Sequence, residues 1–122
     1  MATREYDQVI QGVELVAGVD RAAAERVVRA TLATLAERLG REAFLQLATE
    51  LPEELRQLPA EAATEPAAFP PEEFVRRAAH RAGIDQDRAW TQTRAVLATL
   101  REQVAQIQEL GQRLAGYSSL LA

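Results

Sequence analysis

Apolar side chains recur at three- and four-residue spacing along most of the chain, and nothing alternates with a period of two. The pattern predicts helices and no sheet. Tyr6, Val9, Ile10, Val13 and Val16 or Ala17 place a helix over about 3–17. Thr3 can cap it, and Glu5 and Asp7 fall in the first turn, where the helix dipole favours negative charge. Gly18 ends it, with Val19 folding back onto Val13 in a Schellman-type closure. Asp20 caps a second helix, about 21–39, with Ala24, Val27, Val28, Thr31, Leu32, Leu35 and Leu39 as its buried stripe. Gly40 stops it.

Phe44, Leu47, Ala48 and Leu51 line one side of a helix over 41–51. Pro52 interrupts it and suits the first position of a short helix, 52–58, with Glu53 and Glu54 at its positive end and Leu55 and Leu58 beneath the preceding hairpin. Residues 59–68, PAEAATEPAA, read as a linker with nothing to bury. A helix over 71–82 opens on Pro71, with Phe69 stapled onto Phe74, and turns Phe74, Val75, Ala78 and Ala82 inward. Gly83–Ile84–Asp85 forms the next turn. A helix over about 86–104 then buries Trp90, Thr93, Val96, Leu97, Leu100 and Val104. Beyond it two readings stand: a separate helix over about 106–114 with a last turn over 117–121, or one unbroken helix from 86 to about 115.

The two halves repeat one another. AGVDRAAAERVVRATLATLAERL (17–39) matches AGIDQDRAWTQTRAVLATLREQV (82–104) at a constant offset of 65, with seven identities in the eleven positions from Arg29 and from Arg94. At an offset of 63, LATELPEELRQL (47–58) also aligns with LGQRLAGYSSLL (110–121). The expected fold is all-α: two pseudo-symmetric repeats of about four helices each, the last of each short, packed as one bundle over residues 1–122. Repeat one spans 3–58, the linker 59–69 and repeat two 70–121, with the long helices central about a pseudo-twofold axis. Neither repeat has much core alone, so one cooperative unit is expected.

Composition narrows the chemistry. The chain has 122 residues, a net charge of −4 and no cysteine, which excludes disulfides and thiolate metal sites and leaves the redox compartment open. No apolar run approaches the roughly 20 residues of a membrane span, and MATREYDQVI lacks the basic start and apolar block of a signal peptide. A soluble, cytoplasmic protein is expected. All fourteen basic residues are arginine; with abundant alanine, a codon bias explains this more simply than recognition chemistry.

The double pattern of an A-G-[VI]-D turn, an R-A-x-L-x-T-L helix and L-P-E-E-L-x-x-L resembles the DUF2267 family of small bacterial proteins. It is carried by AGVDRAAAERVVRATLATLAERL, LATELPEELRQLP and FPPEEFVRRAAHRAGIDQDRAWTQTRAVLATL. The resemblance covers nearly the whole chain; LAGYSSLL departs from it, with Ala115 and Gly116 where Pro and a charged residue are usual. It implies an all-α, two-repeat domain, no established activity and no site residues to carry over.

Catalysis is poorly supplied. His80 lies between Arg77 and Arg81 in the place of Leu15 and reads as a solvated position, and Ser118–Ser119 has no nearby base. No Glu-x-x-His spacing suggests a metal, and dipole compensation explains Glu53–Glu54 and Glu72–Glu73. No enzyme, cofactor or metal is therefore expected. The polar identities Arg29/Arg94, Thr34/Thr99 and Glu37/Glu102 lie away from the buried stripe and are the candidate interaction or inter-repeat surface. Arg29 can pair with Glu25 and Arg94 can stack on Trp90; because these local partners differ, the expected shared role is contact between the repeats, for example with Glu53 or Glu54. The leading expectation is a noncatalytic helical interaction module that binds a protein partner or itself. One alternative is a DNA-binding regulatory protein using a helix-turn-helix-like corner over 76–92, with Arg76, Arg77, Arg81, Arg88 and Gln92 as its patch. The acidic balance disfavours nucleic acid. A second alternative is a small apolar ligand held between the repeats.

Overall fold

The computed structural model describes residues 2–57, 65–114 and 116–121, the side chains of 111–113 and 118 apart. These form seven α-helices: α1 Arg4–Ala17, α2 Arg21–Leu39, α3 Arg41–Ala48, α4 Pro71–Ala82, α5 Gln86–Gln103, α6 Ala105–Arg113 and α7 Ser118–Leu121, with a 3-10 turn at Glu53–Leu55. The described residues contain no strand. Leu58, most of the expected linker (59–64) and Ala115 lie outside the described residues.

The helix ends follow local chemistry. The Thr3 hydroxyl accepts from the Tyr6 amide, and Asp20 and Asp85 accept from the amides of Ala23 and Arg88, each satisfying a donor that the first helical turn leaves orphaned. Gly18 sits in the left-handed region at φ 68°, and the Gly18 and Val19 amides both donate to the Glu14 carbonyl, which closes α1 as its composition requires. Gly40 has φ 87° and ψ 165°, and a side chain there would lie 2.8 Å from the Pro66 nitrogen.

One boundary differs from expectation, and one left open is decided. Pro52 has ψ 148° and precedes the three-residue 3-10 turn instead of opening a helix. The long helix breaks at Val104, extended at φ −125° and ψ 103°, which decides for two helices, α5 and α6. A β-branched residue adopts that conformation readily, so no glycine is needed there.

Helices α2 and α5 form the centre. Helix α2 touches α1, α3, α4 and α5; α5 touches α1, α2, α4, α6 and α7. The contacts cross between halves: α1 lies against α5, and α4 against α2. Every residue from Ala30 to Ala36 is buried, because alanine and threonine let neighbours approach α2 from all sides. One contiguous core runs from Tyr6 to Leu121 and draws on both halves. Of the residues read as inward, Leu39 and Trp90 are only partly buried. Val16 faces solvent, and Ala17 takes the inward place.

Candidate interaction surface

The three polar pairs split into different fates. Thr34 and Thr99 are buried, which corrects their expected position away from the packed stripe. Their hydroxyls donate to the carbonyls of Ala30 and Ala95, each at 2.8 Å, the back-bond that lets a threonine sit inside a packed helix. Arg29 and Arg94 are exposed. Arg29 Nη2 donates to the Tyr6 hydroxyl at 3.4 Å, and that hydroxyl donates to Glu25 at 2.5 Å. Burial, followed by the Glu25 contact, raises the Tyr6 pKa. Among the described residues the guanidinium–ring stacks involve Arg21, Arg38 and Arg77, so Arg94 does not stack on Trp90. Glu54 does not receive either arginine. It accepts from the Thr3 amide at 2.6 Å and the Thr3 hydroxyl at 2.8 Å, and the amide bond foremost holds its carboxyl below the ordinary range. Glu54 therefore anchors the start of α1 instead of serving only the dipole of its own short turn.

Glu37 joins the halves. Arg77 Nη1 lies 2.7 Å and Arg81 Nη2 3.0 Å from its carboxylate, and Arg81 Nη1 donates to Thr34 at 2.8 Å. Arg77 also donates to Glu73 at 2.7 Å, and Arg76 grips Glu73 through two nitrogens at 2.6 and 2.5 Å. Hydrogen bonds from Arg76 and then Arg77 hold Glu73 at a pKa of about 2. Glu102, the counterpart of Glu37, is exposed and forms no ion pair among the described residues.

The 76–92 corner thus brings Arg76, Arg77 and Arg81 together around carboxylates. Arg88 pairs with Asp85 at 3.4 Å. Gln92, expected to be available to a base edge, is only 8% exposed, because α5 packs on that side. His80 stands exposed on α4.

One cluster had no expression in the linear pattern beyond the Phe69–Phe74 staple, whose rings lie 6.4 Å apart. The Tyr117 hydroxyl donates to the Phe69 carbonyl at 2.7 Å, and Arg38 Nε donates to the same oxygen at 3.2 Å. Arg77 lies 4.1 Å from the centre of the Phe69 ring, and Arg38 lies 5.4 Å from that of Tyr117. The Tyr117 ring meets Phe74 edge-on at 5.9 Å. Phe69 is thereby sealed by Arg77 from the neighbouring α4 and by Arg38 and Tyr117 from two distant segments.

The other half has different residues in the matching places. At the offset of 65, Arg77, Arg81 and Arg38 become Gly12, Val16 and Gln103, and Phe69 becomes Arg4. A side chain at Gly12 would meet Thr99 Cγ2 at 2.7 Å, so glycine lets α1 close onto α5. One turn further along α1, Leu15 is 83% and Val16 63% exposed. Beside the start of α1, a groove runs past the 3-10 turn to the end of α5, lined by Glu5, Gln8, Leu51, Pro52, Glu53 and Gln103 among others. Arg56 also lines it and donates to the Leu51 carbonyl at 2.8 Å.

Among the described residues, no helix is long and apolar enough to cross a membrane, and no three metal-ligating side chains gather. No curated protein matches the sequence. The family model described as an uncharacterized conserved protein, DUF2267, matches residues 6–116. With the A-G-[VI]-D turns and the all-helical fold in place, the chain belongs to the DUF2267 family.

Proposed function

We propose that the protein is a noncatalytic interaction module that binds a protein partner or a second copy of itself through the α1–α5 side. The observation that carries this reading is the unequal use of matching positions. On the α2–α4 side, Glu37 and Thr34 are occupied by Arg77 and Arg81. On the α1–α5 side, Glu102 is exposed, and Leu15 and Val16 offer apolar surface in the places of His80 and Arg81. An exposed carboxylate on α5 and exposed apolar side chains on α1, which packs on α5, suit a partner that brings a cation and an apolar contact. A cytoplasmic setting is part of the same proposal.

The test compares the native chain with Leu15→Asp/Val16→Asp by sedimentation and by recovery from native cells. Loss of self-association or of one defined partner in the variant is expected. A strictly monomeric native chain whose recovered partners are unchanged in the variant would sink the reading.

A further inference from the structure

We propose that the cleft between the two Gly–hydrophobic–Asp turns binds a small N-acylated apolar amino acid, held by its free carboxylate and its amide. The site is separate from the exposed apolar pair on α1, and either can fail without the other.

Gln92 is the residue that packing does not explain. At the offset of 65 it stands in the place of Val27, which is 1% exposed, so an apolar side chain serves that position in α2. In α5 the same place carries a glutamine that is 8% exposed. Its amide forms no hydrogen bond among the described residues. Burying an amide without a partner is unfavourable. Neither amide atom is sealed from solvent, so the part of Gln92 left open is its polar end, and Gln92 lines the cleft.

The rest of the lining fits one kind of answer to that amide. Val19 and Ile84, the middle residues of the two turns, are partly buried and bring apolar surface from opposite halves. Ala23 and Ala82 are small and leave room. The cleft holds about 290 Å³, the small end of ligand sites, which suits one capped residue and not a run of chain. Arg26 lines it, exposed and without an ion pair among the described residues. Arg88 lines it too, and its 3.4 Å contact with Asp85 is too exposed to hold the guanidinium. Asp20, the remaining polar lining residue, is directed at the Ala23 amide at 2.8 Å.

Two guanidiniums suit a carboxylate. Gln92 carries both a donor and an acceptor. A ligand amide answers both, since its N–H donates to Oε1 and its carbonyl accepts from Nε2. A bare carboxylate would leave Oε1 unanswered. An apolar side chain on the ligand can then cover Val19 and Ile84.

The probe is N-acetyl-L-leucine, titrated into the ¹⁵N-labelled full chain and followed by amide chemical shifts. Saturable binding at about 1 mM is expected, with shifts centred on Val19, Ile84 and Gln92. N-acetyl-L-leucinamide, which lacks the carboxylate, and acetate, which lacks the amide, should each bind about tenfold more weakly or worse. Gln92→Val, which restores the residue of the matching place, should weaken binding to a similar degree with the melting temperature unchanged or raised. Arg26→Gln/Arg88→Gln should weaken it as much with the fold intact, since both side chains are exposed. The site is overturned by no saturation up to about 10 mM, by equal binding of the leucinamide, or by binding unchanged in both protein variants. A lower melting temperature in Gln92→Val would assign its amide to the packing and overturn it as well. Tenfold tighter binding of acetyl-Gly-Gly-Leu would overturn the small molecule in favour of the end of another chain.

Discussion

Arg81 Nη1 donates to the Thr34 hydroxyl at 2.8 Å while its Nη2 lies 3.0 Å from Glu37 Oε1. One guanidinium on α4 thus holds two groups a turn apart on α2. Oε1 is buried and receives no directed hydrogen bond, so the contact is chiefly coulombic. The side chains of Arg81 and Glu37 are 20% and 21% exposed, shielded enough for truncation to be felt. Arg81→Ala should destabilise the fold by about 1–3 kcal/mol, since it leaves a half-buried carboxylate with one partner fewer. Urea unfolding of Arg81→Ala, Glu37→Gln and the double variant measures the coupling; additive effects would remove the pair from the account.

Thr31 is completely buried on α2, and its hydroxyl has no hydrogen-bond partner. Thr31→Val keeps the shape and removes the unpaired group. It should stabilise the protein by about 1 kcal/mol, seen as a higher urea midpoint at an unchanged slope.

Gly40 carries two constraints, a backbone conformation that L side chains rarely adopt and the Pro66 backbone nitrogen, which a side chain would meet at 2.8 Å. Gly40→Ala should cost more than about 2 kcal/mol. The corresponding break after α5 uses Val104 in ordinary extended geometry, so Val104→Ala should act through lost core contacts alone. Calorimetry of both variants checks this, and a Gly40→Ala cost below about 1 kcal/mol would remove backbone strain from the account.

Acid and alkali act on different sites. Glu73 is held at about 2 against an ordinary 4.5, so the folded state binds its proton more weakly than the unfolded chain does. That stabilisation is whole above pH 4.5 and fades as the pH falls toward 2. Burial raises the Tyr117 pKa above its ordinary 10, so its contribution is whole below pH 10 and is lost as the pH climbs through the raised value. Melting temperature followed against pH should show a flatter acid limb in Glu73→Gln and a flatter alkaline limb in Tyr117→Phe.

Each long helix takes a neighbour from the other half, α4 on α2 and α1 on α5. A fragment of residues 1–60 lacks both α4 and α5 and should show neither a cooperative thermal transition nor dispersed amide resonances. A stably folded monomeric fragment would contradict the shared core.

The alternation of apolar stripes with Gly–hydrophobic–Asp turns determined the helices themselves. Thr3, Asp20 and Asp85 cap where short polar side chains before an apolar run belong, and Gly18 ends α1 because its turn needs a left-handed residue. These are local effects, acting within a few residues, and a linear pattern contains them in full. Burial around an entire helix is not local. Thr34 and Thr99 read as off-stripe and Gln92 as open to a base edge, yet all three are enclosed because α2 and α5 are covered on several sides. Glu37 meets Arg77, Glu54 meets Thr3 and Phe69 meets Tyr117 across 40, 51 and 48 residues of sequence, and no periodicity carries that information. Spelling alone made Glu37 and Glu102 equivalent. Only the packing of α4 against α2 made one a closed ion pair while the other stayed exposed, because the arginines that meet the first are matched in sequence by Gly12 and Val16.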